Sequence, residues 1–132
     1  MSSSILPGLA EIVGRTQVLS GESCSRYNID ERRLYQGRAL AVVRPANVDE
    51  VARVERLCAT RPVAMVPQGG NTGYCGGATA DPSGTQLVIS LERLNQIRAD
   101  DARAYTLTLD SGFVLADAQA AAAAAQCLLP RC

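Results

Sequence analysis

The segment from residue 39 to residue 66 constrains this chain most. It holds an apolar run, a stretch of helical spacing and a second apolar run, joined by only a few residues. Residues 39–43 (ALAVV) are partly β-branched and are closed by Arg44-Pro45. A residue before proline is pushed toward extended geometry, so this run reads as a strand. Asn47 is a good helix N-cap, and Asp49 and Glu50 load the first turn with the sign the helix dipole favours. Val48, Val51, Ala52, Val54, Leu57 and Cys58 then keep helical spacing to about residue 59. Residues 63–66 read as a second strand. Strand, helix and strand with short joins make a βαβ unit, and ligands collect at the carboxyl ends of strands in open α/β sheets.

Around this unit the chain predicts an α+β, α/β-like fold built on a small mixed sheet with a βαβ start and flanking helices. Residues 4–13 have helical spacing, with serines placed to cap the helix and Gly14 to end it. Residues 17–37 are polar and aperiodic and predict an irregular crossing segment. After a turn signal at 81–84, residues 86–90 predict a third strand, and 91–97 a single helical turn. Residues 100–102 form a polar corner, and 105–109 alternate like a half-buried strand closed by Gly112. The alanine-rich segment from 114 predicts a helix to about 127, ended by Pro130. Two parts are expected: residues 1–34, a helix and irregular segment, and residues 35–132, which carry the sheet.

The carboxyl end of the second predicted strand runs into PQGGNTGYCGG, residues 67–77, with five glycines. Glycines let backbone N–H groups approach a ligand closely, and successive N–H groups in such a turn form a concave nest for an anion. Glycine loops also serve as turns and caps. Asn71 and Thr72 add short donors for phosphate oxygens, or an Asx or Thr turn. The loop is neither GK[ST] nor GxGxxG, which sets aside Walker-type and dinucleotide-fingerprint sites.

Composition excludes further chemistries. All 13 basic residues are arginine; the chain has no lysine and no histidine, hence no Schiff base, no Ser–His or Cys–His pair and no imidazole metal ligand. No metal site is expected. The 13 acidic residues bring the formal net charge to zero, which argues against nucleic acid as a partner. Five dispersed cysteines without a CxxC pair predict reduced thiols. The N-terminus does not resemble a signal peptide, no stretch is long enough to span a bilayer, and the expected compartment is the cytoplasm. Cys75 reads as a small hydrophobe, Asp110 and Asp117 as strand-end and helix-start residues, and Arg32, Arg33 and Arg38 as solvated surface.

The succession RPANVDEVARV, PVAMVPQGGNTGYCGG, GTQLVISLERLNQI and TLTLDSGFVLADAQ resembles the N-terminal part of the FAD-linked oxidase family. The likeness is to the vanillyl-alcohol-oxidase type of FAD-binding domain (the PCMH type), in the branch of D-2-hydroxyacid dehydrogenases that includes D-lactate and D-2-hydroxyglutarate dehydrogenases. It covers residues from about 35 to 130. It implies that Pro67, Gln68, Gly69, Gly70, Asn71, Thr72 and Gly73 hold the FAD pyrophosphate, with Gly76 and Gly77 continuing along the cofactor. Relatives with covalent flavin carry histidine where this chain has Asn71, so the resemblance implies non-covalent FAD. The implied reaction is oxidation of a 2-hydroxy acid to a 2-oxo acid with hydride transfer to the flavin. Family members are several times longer, and Arg131-Cys132 departs from their pattern. The expectation is therefore the first lobe of the FAD domain, truncated at the C-terminus and without the family's catalytic residues. Such a lobe leaves an uncovered sheet edge and apolar surface. The alternative is a non-catalytic nucleotide-binding or interaction fragment that needs a complementing chain.

Overall fold

A computed structural model describes residues 5–130. Helix α1, Leu6–Val13, begins with proline in its first turn and ends at Gly14, whose φ of +89° turns the chain while its N–H reaches the Ala10 carbonyl at 2.9 Å. The serines expected to cap it lie outside the described residues. Strand β1, Val18–Leu19, pairs antiparallel with β2, Ala41–Val43. Between them residues 21–27 wind as a 3₁₀ helix that buries Cys24 and Tyr27. The segment expected to be irregular thus contributes a sheet edge and a cover. A two-residue strand has no period to read, and 3₁₀ turns lack the 3.6-residue stripe.

Helix α2, Val48–Thr60, starts at Asn47, whose Oδ1 accepts the Glu50 N–H at 2.9 Å, while Glu50 Oε2 accepts the Ala46 N–H at 2.7 Å. This reciprocal arrangement satisfies donors at both edges of the first turn. Strand β3, Met65–Gln68, begins two residues later than expected, because the Arg61 and Val63 N–H groups both close onto Cys58 O at the helix end. Strand β4 is Leu87–Ser90. The sheet order is β1-β2-β4-β3, with β2, β4 and β3 parallel. The two strands of the βαβ unit are therefore not neighbours: β4 lies between them. Pro67, which has no N–H to donate, is tolerated because β3 is an edge strand.

Position parity divides the core. Ala41, Val43, Leu87, Ile89 and Met65 face α1 and α2, where Leu9, Val54 and Cys58 are buried. Val42, Val88 and Val66 face Cys24, Tyr27 and Ala80. Helix α1 and the 3₁₀ helix thus pack on opposite faces of the same sheet.

Residues 91–97 form only a Leu94 N–H to Leu91 O turn, not a helical segment. Strand β5, Ile97–Asp101, then pairs antiparallel with β6, Thr106–Leu109, around a register shift at Ile97/Ala99. Within the expected polar corner, Asp101 ends β5 and its Oδ1 accepts the N–H groups of Arg103 and Ala104, closing the hairpin. Helix α3, Leu115–Ala124, stops three residues short of expectation, with Gln126 at φ +57°. Of its residues only Ala118 is buried. All four described cysteines are free thiols. Among the described residues no helix is long and apolar enough to cross a membrane.

Candidate functional site

The glycine loop leaves β3 at the carboxyl end of the parallel strands. Gln68, on the same face as Val66, is buried, and its Nε2 donates to Tyr27 O at 3.0 Å and to Ala78 O at 2.8 Å. One amide thus ties the start of the loop to its end and to the 3₁₀ helix. Asn71 adopts φ +56°, and its Nδ2 donates to Ile29 O at 2.9 Å. Among the described residues, no backbone N–H from Gly69 to Gly77 is donated to another group of the chain. A Cβ built on Gly70, Gly73 or Gly77 meets nothing within 4 Å, so the loop presents open backbone.

Gln68, Gly69, Gly70 and Asn71 line one wall of a cleft of about 430 Å³. The other predicted loop residues, Pro67, Thr72, Gly73, Gly76 and Gly77, lie outside it. Thr72 is exposed, and Gly76, at φ +74°, is packed under the Tyr35 ring. The opposite wall comes from Asn95 and from Gly112 to Val114, with Asp117 in the first turn of α3. Asp117 and Asp110 stand where the sequence placed them, but Asp117 also faces the cleft. Asp110 accepts the Gln96 N–H and pairs with Arg98.

Sequence reasoning missed the cleft's charged floor. Glu92 accepts from Arg26 Nη2 at 2.8 Å, Tyr27 Oη at 2.9 Å and Arg44 Nη1 at 3.3 Å. Arg26 also lies over the Tyr27 ring, 4.3 Å from its centroid. Burial pushes the Glu92 carboxyl up, but the hydrogen bonds from Tyr27, Arg26 and Arg44 outweigh it and hold the group below its ordinary value. Burial, with the neighbouring Glu92 charge, pushes the Tyr27 phenol up. The signal was present: Arg44 and Glu92 continue the even-numbered face just past the ends of β2 and β4. Arg26 is the one cationic side chain among the described residues lining the cleft, against Glu31, Glu92 and Asp117.

The low Glu92 value fixes a sign. A carboxyl that titrates lower when folded stabilises the chain above its unfolded value and loses that contribution as pH falls through the folded one. Glu92→Gln is expected to lower the urea midpoint at pH 7, with the deficit shrinking below about pH 4, where unfolded carboxyls titrate. A deficit that does not change with pH excludes Glu92 ionisation as its source.

A strand running into an open loop of unspent N–H groups, beside a polar cleft, defines the class: a mixed-sheet domain with an open glycine loop at the carboxyl ends of its parallel strands. The fold is shared with an alkyldihydroxyacetonephosphate synthase (TM-score 0.78, 18% identity, covering 90% of this chain and 24% of that one). It is also shared with p-cresol methylhydroxylase (TM-score 0.72, 16% identity, covering 94% and 25%). Residues 39–131 match the family described as FAD binding domain, and the chain belongs to that family. Curated relatives include a D-2-hydroxyglutarate dehydrogenase of Xanthomonas citri pv. viticola, 42% identical over 89 residues, which are 67% of this chain and 18% of that protein. The mitochondrial D-2-hydroxyglutarate dehydrogenase of Bos taurus is 31% identical over 115 residues, 87% of this chain and 21% of that protein. The glycolate oxidase subunit GlcD of Bacillus subtilis is 34% identical over 91 residues, 69% and 19%. The chain thus spans about a fifth of the length of these relatives. The fold class and the oxidoreductase family agree with the sequence reading.

Proposed function

We propose that this chain is the diphosphate-holding part of an FAD-dependent oxidoreductase acting on a 2-hydroxy acid, with the cofactor bound non-covalently. The observation that carries the reading is the run of unspent backbone N–H groups from Gly69 to Gly77, of which Gly69, Gly70 and Asn71 line the cleft. A diphosphate needs several converging donors, and a preorganised nest supplies them without lysine. The open cradle at Gly70, Gly73 and Gly77 fits such a group, because no side chain or backbone atom fills the space a Cβ would take. Pro67 and Gln68 set the direction in which the loop leaves the sheet. Asn71 fixes its first turn through Ile29 O and carries no nucleophile for a flavin link. FAD, when bound, supplies the acceptor for the hydride leaving the substrate α-carbon. The names of the relatives, D-2-hydroxyglutarate dehydrogenases and a glycolate oxidase subunit, support a 2-hydroxy acid as substrate.

A second reading, association with a complementing polypeptide, is favoured by the exposed Val114, Leu115 and Leu128 along and beyond α3. Titrating FAD into the purified chain and passing the mixture through gel filtration tests the first reading. A shifted visible flavin band that co-elutes with the protein supports it. Free elution at high micromolar FAD overturns cofactor binding by this chain.

A further inference from the structure

The glycine loop touches one segment repeatedly. Residues 28–37 fold back on themselves: Ile29 bridges Gln36, Gly37 N–H reaches Asn28 O at 2.7 Å, and Asp30 N–H reaches Tyr35 O at 3.2 Å. Inside this turn sits the Asp30 side chain, in a residue only 3% exposed. Its Oδ1 accepts the Tyr35 N–H at 2.7 Å and its Oδ2 the Arg32 N–H at 3.2 Å. The base of the turn is fixed to the sheet, since Asn28 Oδ1 accepts the Ala39 N–H at 2.9 Å and Gly37 lies against Ala80 O.

From this turn, groups reach the loop at three successive points. Ile29 O takes the Asn71 amide, the Arg32 guanidinium stands over the Tyr74 ring at 5.4 Å, and the Tyr35 ring covers Gly76. A loop whose N–H groups are all unspent has no internal ladder to hold its shape. Asn71, a non-glycine residue at φ +56°, sits in a region that persists only where surroundings impose it, and Gly76 at φ +74° has no room for a side chain under the Tyr35 ring. The surroundings here are Ile29 and Tyr35, and both take their positions from the turn that the Asp30 carboxylate organises.

We infer that residues 28–37 act as a clamp that sets the shape of the glycine loop, with Asp30 as its positioning residue. Asp30 does not line the cleft; it holds Arg32 and Tyr35, and these, with Ile29, hold the loop. The consequence for FAD affinity rests on the proposed function, whereas the consequence for loop order does not.

The test uses the full chain, labelled with ¹⁵N, and reads heteronuclear NOEs of Gly69 to Gly77 against those of Leu87 to Ser90. In the wild type the loop is expected to match β4. In Asp30→Ala the loop values fall while β4 holds, and Asp30→Asn, which keeps one acceptor, restores part of the loss. FAD affinity in Asp30→Ala drops about tenfold, the factor equivalent to roughly 1.4 kcal/mol. Loop values unchanged in Asp30→Ala overturn the clamp. If that variant unfolds, Asn71→Ala and Arg32→Ala cut the contacts one at a time, and an unchanged loop in both also overturns it. A loop that loosens as expected in a chain that never retains FAD sinks the cofactor reading and leaves the clamp standing.

Discussion

Replacing Gly112 by alanine is expected to destroy cooperative folding of this chain. A Cβ built there lies 1.7 Å from Leu91 O, 2.5 Å from Leu91 C and 2.7 Å from Leu94 O. All three are backbone atoms, and the Gly112 N–H is itself bonded to Leu94 O at 2.9 Å, so neither side of the contact can swing away. The corner connects β6 to α3, packs against the turn that follows β4, and contributes to the far wall of the cleft. Overpacking in an ordinary core costs roughly 1–3 kcal/mol because side chains relax; here relief requires moving main chain, so the loss is expected to exceed that range. Urea unfolding followed by circular dichroism reads it directly, and a midpoint within error of wild type refutes the geometry. Gly77→Ala is the control, since its Cβ meets nothing within 4 Å.

Gly70→Val should do the opposite, sparing the fold and removing the ligand. Gly70 is exposed, meets nothing within 4 Å on adding a Cβ, and is not among the positive-φ glycines, so a side chain can start there without strain. The expected change in stability is within about 0.5 kcal/mol, as for other surface substitutions. The same branched side chain would stand on the cleft wall, where backbone N–H groups must approach a phosphate within hydrogen-bond distance. Loss of FAD retention with an unchanged urea midpoint is the expected pair of results. Equal FAD affinity in the variant would remove Gly70 from the site.

What the sequence revealed follows burial. Strands β2 and β4 are buried on both faces, so AVV and LVI read as continuous apolar runs. The start of α2 was legible because Asn47 is a local device whose partner is only three residues away. Strand β5 was not: Ile97-Arg98-Ala99-Asp100-Asp101 is exposed throughout and carries no alternation, so only its partner β6 identifies it. The site divides the same way. The loop announces itself by composition, whereas Asp117 joins the cleft through tertiary folding and looks in sequence like any helix-start carboxylate, and Glu92 is marked only by the parity it continues past β4. The roles of Gln68 and Asn71 as ties to Tyr27 and Ile29 were equally hidden, since their carbonyl partners carry no sequence identity.

The position of β4 between β2 and β3 also bears on how the protein is made. Val42 must wait for Val88, far along the chain, before it gains its parallel neighbour, and β3 has no strand to dock on until then. Closing such a span costs entropy before any pairing returns it, and topologies dominated by distant pairings fold slowly. On the ribosome, α1, α2 and the glycine loop all emerge before the strand that anchors them. Strand β3, from which the glycine loop leaves, therefore gains its only sheet neighbour after the loop itself has been synthesised.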